Sequence, residues 1–269
     1  MITKAIGRKG MIEKTLGFIG GGRVTRIMLE GFKRKGLTFK KVVVSDINPE
    51  ALKHLKENFL DITVAPDNNP LSASGDIVFM ALHPPAVLPA LDEIRSSLKP
   101  ETVLISLAPK ITMAEISEGL GGFSRIVRMI PNACSIVNHG YNPVAFSTSL
   151  DESERKHLMK ILAILGECPE VDEARLEAYA VLTGMGPTSF WFQWEELARI
   201  GEAFGIDPDE ARKVISHMIE GAAKTLFYSN LTPEEVMDLI PARPLMEEEG
   251  RIREIYRCRL EALPKKLKS

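Results

Sequence analysis

Short apolar runs alternate with amphipathic stretches along the first half of the chain. Leu16-Gly17-Phe18-Ile19 is one such run, and Ile27, Leu29, Phe32 and Leu37 follow it roughly at helical spacing. Residues 41–46, Lys-Val-Val-Val-Ser-Asp, then read as a second strand with an acidic end. Leu52, Leu55 and Phe59 give residues 49–59 the period of an amphipathic helix. Residues 62–64 form a short strand, and 65–75 read as a polar connection. Residues 76–82 are nearly all apolar, as a central parallel strand buried on both faces requires. That run stops at His83-Pro84-Pro85, where proline ends a strand and opens a helix through Val87, Leu88, Leu91 and Ile94. Strand 102–107, helix 113–120 and strand 125–130 repeat the cycle. Such alternation predicts an α/β fold, a doubly wound parallel sheet with right-handed crossovers. A ligand of that fold sits beyond the carboxyl ends of the strands.

The pattern changes at Asp151, which pairs with Glu154 as the start of a helix through Leu158, Ile161, Leu162 and Leu165. Residues 167–172 are the last candidate strand, and the remainder reads as helix. Asp207 precedes Pro208 and Glu210 at the start of a helix with the stripe Val214, Ile215, Met218 and Ile219. Thr232-Pro233-Glu234-Glu235 repeats the start signal. Phe190, Trp191, Phe192, Trp194, Leu197 and Ile200 spread over so wide an arc that their helix must be covered on several sides. That predicts a homodimer closed through the helical part; the competing reading is a central helix within a monomer. The expected divisions are an N-terminal arm (1–13), a sheet domain (14–173) and an all-helical dimerisation and substrate domain (174–269).

Composition narrows the chemistry. A net charge of −2 gives no field that would hold nucleic acid or an anionic membrane. Cys134, Cys168 and Cys258 are odd in number and far apart, which favours reduced thiols in a cytoplasmic protein over a disulfide framework or a zinc site. No apolar run reaches the roughly 18 residues of a membrane helix. No P-loop or nucleophile elbow occurs, and no histidine stands at metal-ligand spacing to another ligand, so no metal is expected.

What remains is the turn after the first strand. Gly20, Gly21 and Gly22, followed by Arg23 and Val24, place backbone N–H groups at a helix N-terminus, where a pyrophosphate binds. Asp46, at the end of the second strand, is placed to accept the ribose hydroxyls, which favours NAD over NADP; the choice between the two stays open. One position departs from the dinucleotide fingerprint, since its third small residue is Thr25.

The order of these motifs resembles pyrroline-5-carboxylate reductase over nearly the whole chain from Leu16. Arg125-Ile126-Val127-Arg128-Met129-Ile130-Pro131-Asn132 is similar to that family's Val-Arg-x-Met-Pro-Asn segment, and Leu182-Thr183-Gly184-Met185-Gly186-Pro187 resembles its Leu-Ser-Gly-Ser-Gly-Pro turn. Ala81-Leu82-His83-Pro84 resembles Ala-Val-Lys-Pro, the family's loop on the cofactor. The resemblance implies a Rossmann domain joined to an interlocked helical dimerisation domain, an NAD(P)-dependent reductase of proline biosynthesis, and a small anionic substrate. It also implies cofactor contacts at Asn68 and at 81–84, substrate contacts at Asn132, Gly184, Gly186 and Pro187, and the acid of the long dimer-forming helix at Glu195.

The departures gather where the substrate belongs. Thr-Pro after the Pro-Asn becomes Ala133-Cys134, and the second serine of the glycine turn becomes Met185. The family's Ser-Pro-Gly-Gly-Thr-Thr loop, which binds the substrate carboxylate, is replaced by Leu239-Ile240-Pro241-Ala242-Arg243-Pro244-Leu245-Met246. Arg243 is the one strong donor left there, and its planar fork suits a carboxylate; the competing reading is an exposed arginine with no part in the chemistry. Thr183, Thr188, Glu195, His139 and Tyr141 are candidate proton donors. Two alternatives stand beside a reductase of a small imine or carbonyl acid. One is a dinucleotide-binding sensor or scaffold dimer without turnover. The other is a beta-hydroxyacid dehydrogenase-like enzyme, disfavoured because no lysine lies between Met185 and Glu196.

Overall fold

The structure is a computed structural model that describes residues 10–263. They fall into two packing units, one running to Gly184 and the other covering Met185–Leu263.

In the first unit, β1 (Met11–Ile19) leads into α1 (Arg23–Arg34), β2 (Thr38–Asp46), α2 (Pro49–Asn58), β3 (Thr63–Pro66) and α3 (Asn69–Ala73). There follow β4 (Ile77–Met80), α4 (Pro84–Ile94), β5 (Val103–Ser106), α5 (Met113–Gly119) and β6 (Ile126–Met129). The sheet order is β3-β2-β1-β4-β5-β6-β8, parallel throughout except at its last strand, β8 (Val144–Phe146), which runs antiparallel to β6. The chain reverses direction between β6 and β8 through a 3-10 turn (Ala133–Val137) and β7 (Gly140–Tyr141). The unit closes with α6 (Glu152–Leu162), β9 (Gly166–Glu167) paired to β7, and the short α7 (Leu176–Tyr179).

Both sheet faces are covered, which is why the strands carry unbroken apolar runs. Phe18 and Phe79, stacked at 4.8 Å, are buried on one face with Ile105 and Val127, and Val78, Met80, Leu104 and Ile126 on the other. Asn48, Thr112 and Asp151 accept backbone N–H groups at the starts of α2, α5 and α6, the last two as reciprocal boxes with Glu115 and Glu154.

Several elements differ from expectation. Residues 11–13 are not an arm but the outer half of β1; there the strand pairs only with β2, and β4 joins from Leu16, so Glu13 and Lys14 stay in water. The rest of the expected arm, 1–9, lies outside the described residues. The connection 65–75 contains α3, capped by Asn68 and opened by Pro70, with Ser72 and Ala73 fully buried. The strand expected over 167–172 shrinks to two residues in a separate small sheet. The two packing units divide at Gly184, and Glu173 and Glu177 tie the stretch before it to Arg128 of β6.

The second unit holds α8 (Thr188–Ala203), α9 (Pro208–Tyr228), α10 (Pro233–Asp238) and α11 (Met246–Leu260). Asp207 caps α9 through Asp209 and Glu210, and Thr232 forms a capping box with Glu235. Its interior is nearly absent: among the described residues only Ala198 and Ala211 are buried, at 6% and 2% exposure. Phe190, Trp191, Phe192, Leu197, Ile200 and Phe204 are all exposed. No helix of the described residues is long and apolar enough to cross a membrane.

Candidate active site

The topological switch lies between β1 and β4, from which the chain winds both ways, so a ligand crosses the carboxyl ends of the strands there. Gly20 turns the chain at φ +103°, and a Cβ on it would lie 2.5 Å from the Ala81 carbonyl oxygen. Only glycine passes there. Gly21 is buried and donates its N–H to Asp46 Oδ2 at 2.6 Å. Gly22 is different: it precedes α1, no side chain caps that helix, and nothing stands within 4 Å of where its Cβ would be. The space is open and faces an uncapped helix end with no acid in its first turn. Arg23 is exposed beside it and Val24 packs against the core. Thr25, the departure from the fingerprint, is fully buried and donates its hydroxyl to the Gly20 carbonyl at 2.6 Å. It locks the turn that a smaller residue would only have permitted.

Asp46 closes the other side. Its Oδ1 accepts the Asn48 N–H at 2.7 Å while Oδ2 holds Gly21, which leaves further lone pairs for ribose hydroxyls. Asn68 uses Oδ1 to cap α3 at the Leu71 N–H, keeping its amide NH2 exposed. Ala81, Leu82, His83 and Pro84 follow β4, with His83 exposed at the start of α4.

The second half of the site lies beyond β5 and β6. Asn132 is buried; its Oδ1 accepts the Cys134 N–H at 2.8 Å and its Nδ2 donates to the Thr183 carbonyl at 2.5 Å. Its own N–H donates to Oδ1 of the fully buried Asn142, which also accepts the Ser135 hydroxyl at 3.0 Å. The predicted glycine turn is instead a π-helical segment (Ala180–Met185), in which the Thr183 hydroxyl donates to the Tyr179 carbonyl at 2.9 Å. Gly184 packs against Ile130 and the Pro131 carbonyl. Tyr141 stacks on Tyr179 at 6.3 Å, and His139 is exposed.

Arg128, 1% exposed, is the largest side chain buried in the molecule. Its guanidinium donates to Glu173 Oε1 at 3.0 Å and to Glu177 Oε1 at 2.8 Å. Glu173 Oε1 also accepts the Met113 N–H at 2.7 Å, and Glu177 Oε1 takes a long bond, 3.4 Å, from the Lys110 N–H. The sequence motif contains Arg128 but carries no sign of its burial or of its partners, which lie 45 and 49 residues away.

In the helical unit, Gly186 and Pro187 precede α8, and the Thr188 hydroxyl donates to the Met185 carbonyl at 2.6 Å. Glu195 is exposed and pairs with Arg199 at 3.5 Å. Arg243 pairs with Glu249, which also holds Arg253 Nε at 2.9 Å. Arginine hydrogen bonds, Arg253 first, hold the Glu249 carboxyl below the usual range. This arrangement favours the structural reading of Arg243.

Residues 15–110 match the family model for NADP oxidoreductase, coenzyme F420-dependent, and residues 173–242 match that for pyrroline-5-carboxylate reductase dimerisation. The chain is 25% identical to pyrroline-5-carboxylate reductase of Methanosarcina acetivorans over 231 residues, 86% of this chain and 85% of the relative. It is 26% identical to pyrroline-5-carboxylate reductase 1 of Bacillus subtilis over 230 residues, 85% and 77% of the two chains. The fold superimposes on Plasmodium falciparum pyrroline carboxylate reductase with NADP bound at a TM-score of 0.82, with 20% identity, covering 96% and 98% of the two chains. The chain is similar to pyrroline-5-carboxylate reductases over most of its length. It is an NAD(P)-dependent oxidoreductase built as a Rossmann sheet followed by the family's dimerisation domain. Its residues fit a nicotinamide dinucleotide: the open space at Gly22 would take the pyrophosphate, and Asp46 the adenosine ribose.

Proposed function

We propose that the protein is a cytoplasmic homodimeric reductase that uses NADH to reduce the C=N or C=O bond of a small carboxylate-bearing imine or carbonyl acid. The observation that carries this reading is the glycine turn, open at Gly22 and tied through Gly21 to Asp46. A carboxylate at that position accepts ribose hydroxyls and repels a 2′-phosphate, which supports NADH over NADPH. When bound, the dinucleotide supplies the hydride; the protein must hold the substrate, keep water out and deliver a proton to the nitrogen or oxygen. Asn132 holds the segment of Thr183 and Gly184 in place, and these backbone groups would border the substrate. We assign the proton to a hydroxyl of this half, Thr183 or Tyr141. Glu195 and Arg243, both already in ion pairs, are assigned no chemical step.

The donor-poor 239–246 segment argues that the substrate is not pyrroline-5-carboxylate itself: Pro241 and Pro244 lack an N–H, and Ala242, Leu245 and Met246 have no side-chain donor. The same segment supports a second reading, a dinucleotide-binding dimer without turnover.

The test combines binding and turnover. Gly22→Val should weaken NADH binding, read by fluorescence titration, by at least about tenfold or 1.4 kcal/mol, with little change in Tm. NADH should bind more tightly than NADPH, and Asp46→Ser should narrow the gap. Oxidation of NADH with a panel of cyclic imino acids and 2-oxo acids should find a substrate better than pyrroline-5-carboxylate. Undiminished binding by the Gly22 variant would remove the reading, and binding without oxidation of any panel member would establish the non-catalytic one.

A further inference from the structure

Among the described residues, three other than glycine adopt left-handed backbone angles: Asp67 at φ +48°, Asn138 at +62° and Lys110 at +79°. Aspartate and asparagine tolerate that region because a short polar side chain bonds locally, whereas a lysine gains nothing from it. Lys110 is therefore the strained position of the three, in a loop where glycine would turn without cost. The surrounding structure enforces the turn. Glu177 takes the Lys110 N–H and Glu173 takes the Met113 N–H, and both carboxylates are held by the buried Arg128. Strain imposed from several sides at the carboxyl end of a strand is a mark of a site in use.

The charge inventory at that end of the sheet points the same way. Among the described residues following β1 to β6, the basic side chains are Arg23, His83, Lys110, His139 and, within β6, Arg128. Arg23 stands after β1, on the pyrophosphate side of the switch. His83 and His139 are not permanent cations. Arg128 is buried and given to two carboxylates. Lys110 is left as an exposed ammonium on the β4–β6 half, with no hydrogen-bond or ion-pair partner among the described residues. The helical unit offers no substitute in its 239–246 segment, since Arg243 is paired with Glu249.

We propose that Lys110 is the anion-binding residue of the substrate site, receiving the carboxylate of the small acid that the protein reduces. This rests on the reductase reading, which supplies the acid. A fixed positive charge orients the reacting carbon of a small acid through its carboxylate, and one held by a rigid, preformed loop does so with little ordering cost. The substrate class is accordingly a monocarboxylate carrying its C=N or C=O bond within a few atoms of the carboxyl group.

The experiment is calorimetric titration of the NAD+-loaded protein with L-proline, L-pipecolate, pyruvate and 2-oxoglutarate, and with pyrrolidine as the carboxylate-free control. The wild type should bind at least one of the acids and not pyrrolidine. Lys110→Gly should weaken that binding by about tenfold or more, as loss of a charge-assisted contact does, while NADH affinity stays unchanged. The same variant should melt about 2–4 °C higher, because glycine relieves the left-handed strain. Lys110→Arg should keep most of the affinity. Unchanged acid binding by Lys110→Gly, at whatever Tm, is what a lysine with no part in binding would give and overturns the proposal, as does a wild type that binds none of the acids. Failure of the reductase reading looks different: acids still bind through Lys110, but NADH is not oxidised by any of the panel.

Discussion

The sheet unit and the helical unit are made from the same alphabet of leucines, valines and phenylalanines, yet one finishes its interior and the other does not. On either side of the sheet, side chains such as Phe18, Phe79, Leu91 and Leu104 reach zero exposure. In 79 residues the helical unit hides two alanines and leaves Phe192 at 68% and Phe227 at 72% exposure. A folded monomer rarely shows so much contiguous apolar surface. The difference teaches that this chain encodes one complete domain and half of another, the missing half being a second copy under the dimeric reading. It also explains the sequence signals. Central strand runs such as Ile77–Met80 are apolar because helices cover both faces, whereas α8 is apolar around much of its circumference while its own unit covers little of it.

The strongest way to break the contrast is a charge in the uncovered face. Phe192→Asp should weaken self-association by about 2–4 kcal/mol, roughly thirty- to thousandfold in the dissociation constant, as hot-spot aromatics do. Analytical ultracentrifugation of the variant should show monomer at concentrations where the wild type is dimeric. A wild type that is monomeric at millimolar concentration would instead mean that the helical unit is stable with its apolar face in water.

Inside the sheet unit, the comparable effect comes from a polar group rather than an apolar one. Arg128→Leu strands Glu177 in the interior without its cation, and should cost about 3–5 kcal/mol in urea-induced unfolding. Adding Glu177→Leu should recover a large part of that loss, since the unpaired buried charge is then gone. If the single variant unfolds at the wild-type midpoint, the ion pairs do not hold the segment that follows β9.

The smallest effect sharpens the picture of the sheet unit's dryness. Burial pushes the Cys168 thiol from 9.0 up to about 11, its Sγ donating to the Leu162 carbonyl at 3.3 Å. With the folded pKa above the unfolded one, the native thiol keeps a proton that the unfolded chain releases. Stability is then fully present below pH 9 and declines as pH rises from 9.0 towards about 11. The contribution is about 1–3 kcal/mol, and Cys168→Ala should flatten that part of the Tm profile. An alkaline decline of the same slope in the variant would assign it to other groups.

The cap signals at Asp151, Asp207 and Thr232 were legible because each is a local contract between neighbours in sequence, and all three hold. The glycine turn was legible for the same reason. What escaped depends on distant partners. The outer half of β1 carries Glu13 and Lys14 because one flank has no strand beside it, a fact of topology. β8 is three residues long, too short for any period to register, and α3 hides behind Pro70 and two asparagines. Asn142 and Arg128 look like ordinary polar residues until contacts fold over them. Lys110 is the extreme case: nothing in Ala-Pro-Lys-Ile foretells a left-handed lysine, because the carboxylate beside its N–H is 67 residues downstream. The family motifs contain Asn132 and Thr183 but gave no hint of the hydrogen bond between them or of the π-helical geometry.

The position of β1 also governs how the chain can fold. Among the described strands it leaves the ribosome first, yet it ends at the centre of the sheet, flanked by β2 and β4. Its first partner arrives quickly, but the second, Ile77–Met80, trails Leu16–Ile19 by 61 residues. Until then a nascent chain presents one bare, apolar strand edge, the kind of surface that recruits other unfinished chains. Nor can the nucleotide rescue it early, because the Ala81 backbone that packs against Gly20 is itself delivered by β4. Cofactor therefore acts on this protein as a late fastener of an assembled sheet, and synthesis must pass β4 before any dinucleotide in the cell can protect what has been made.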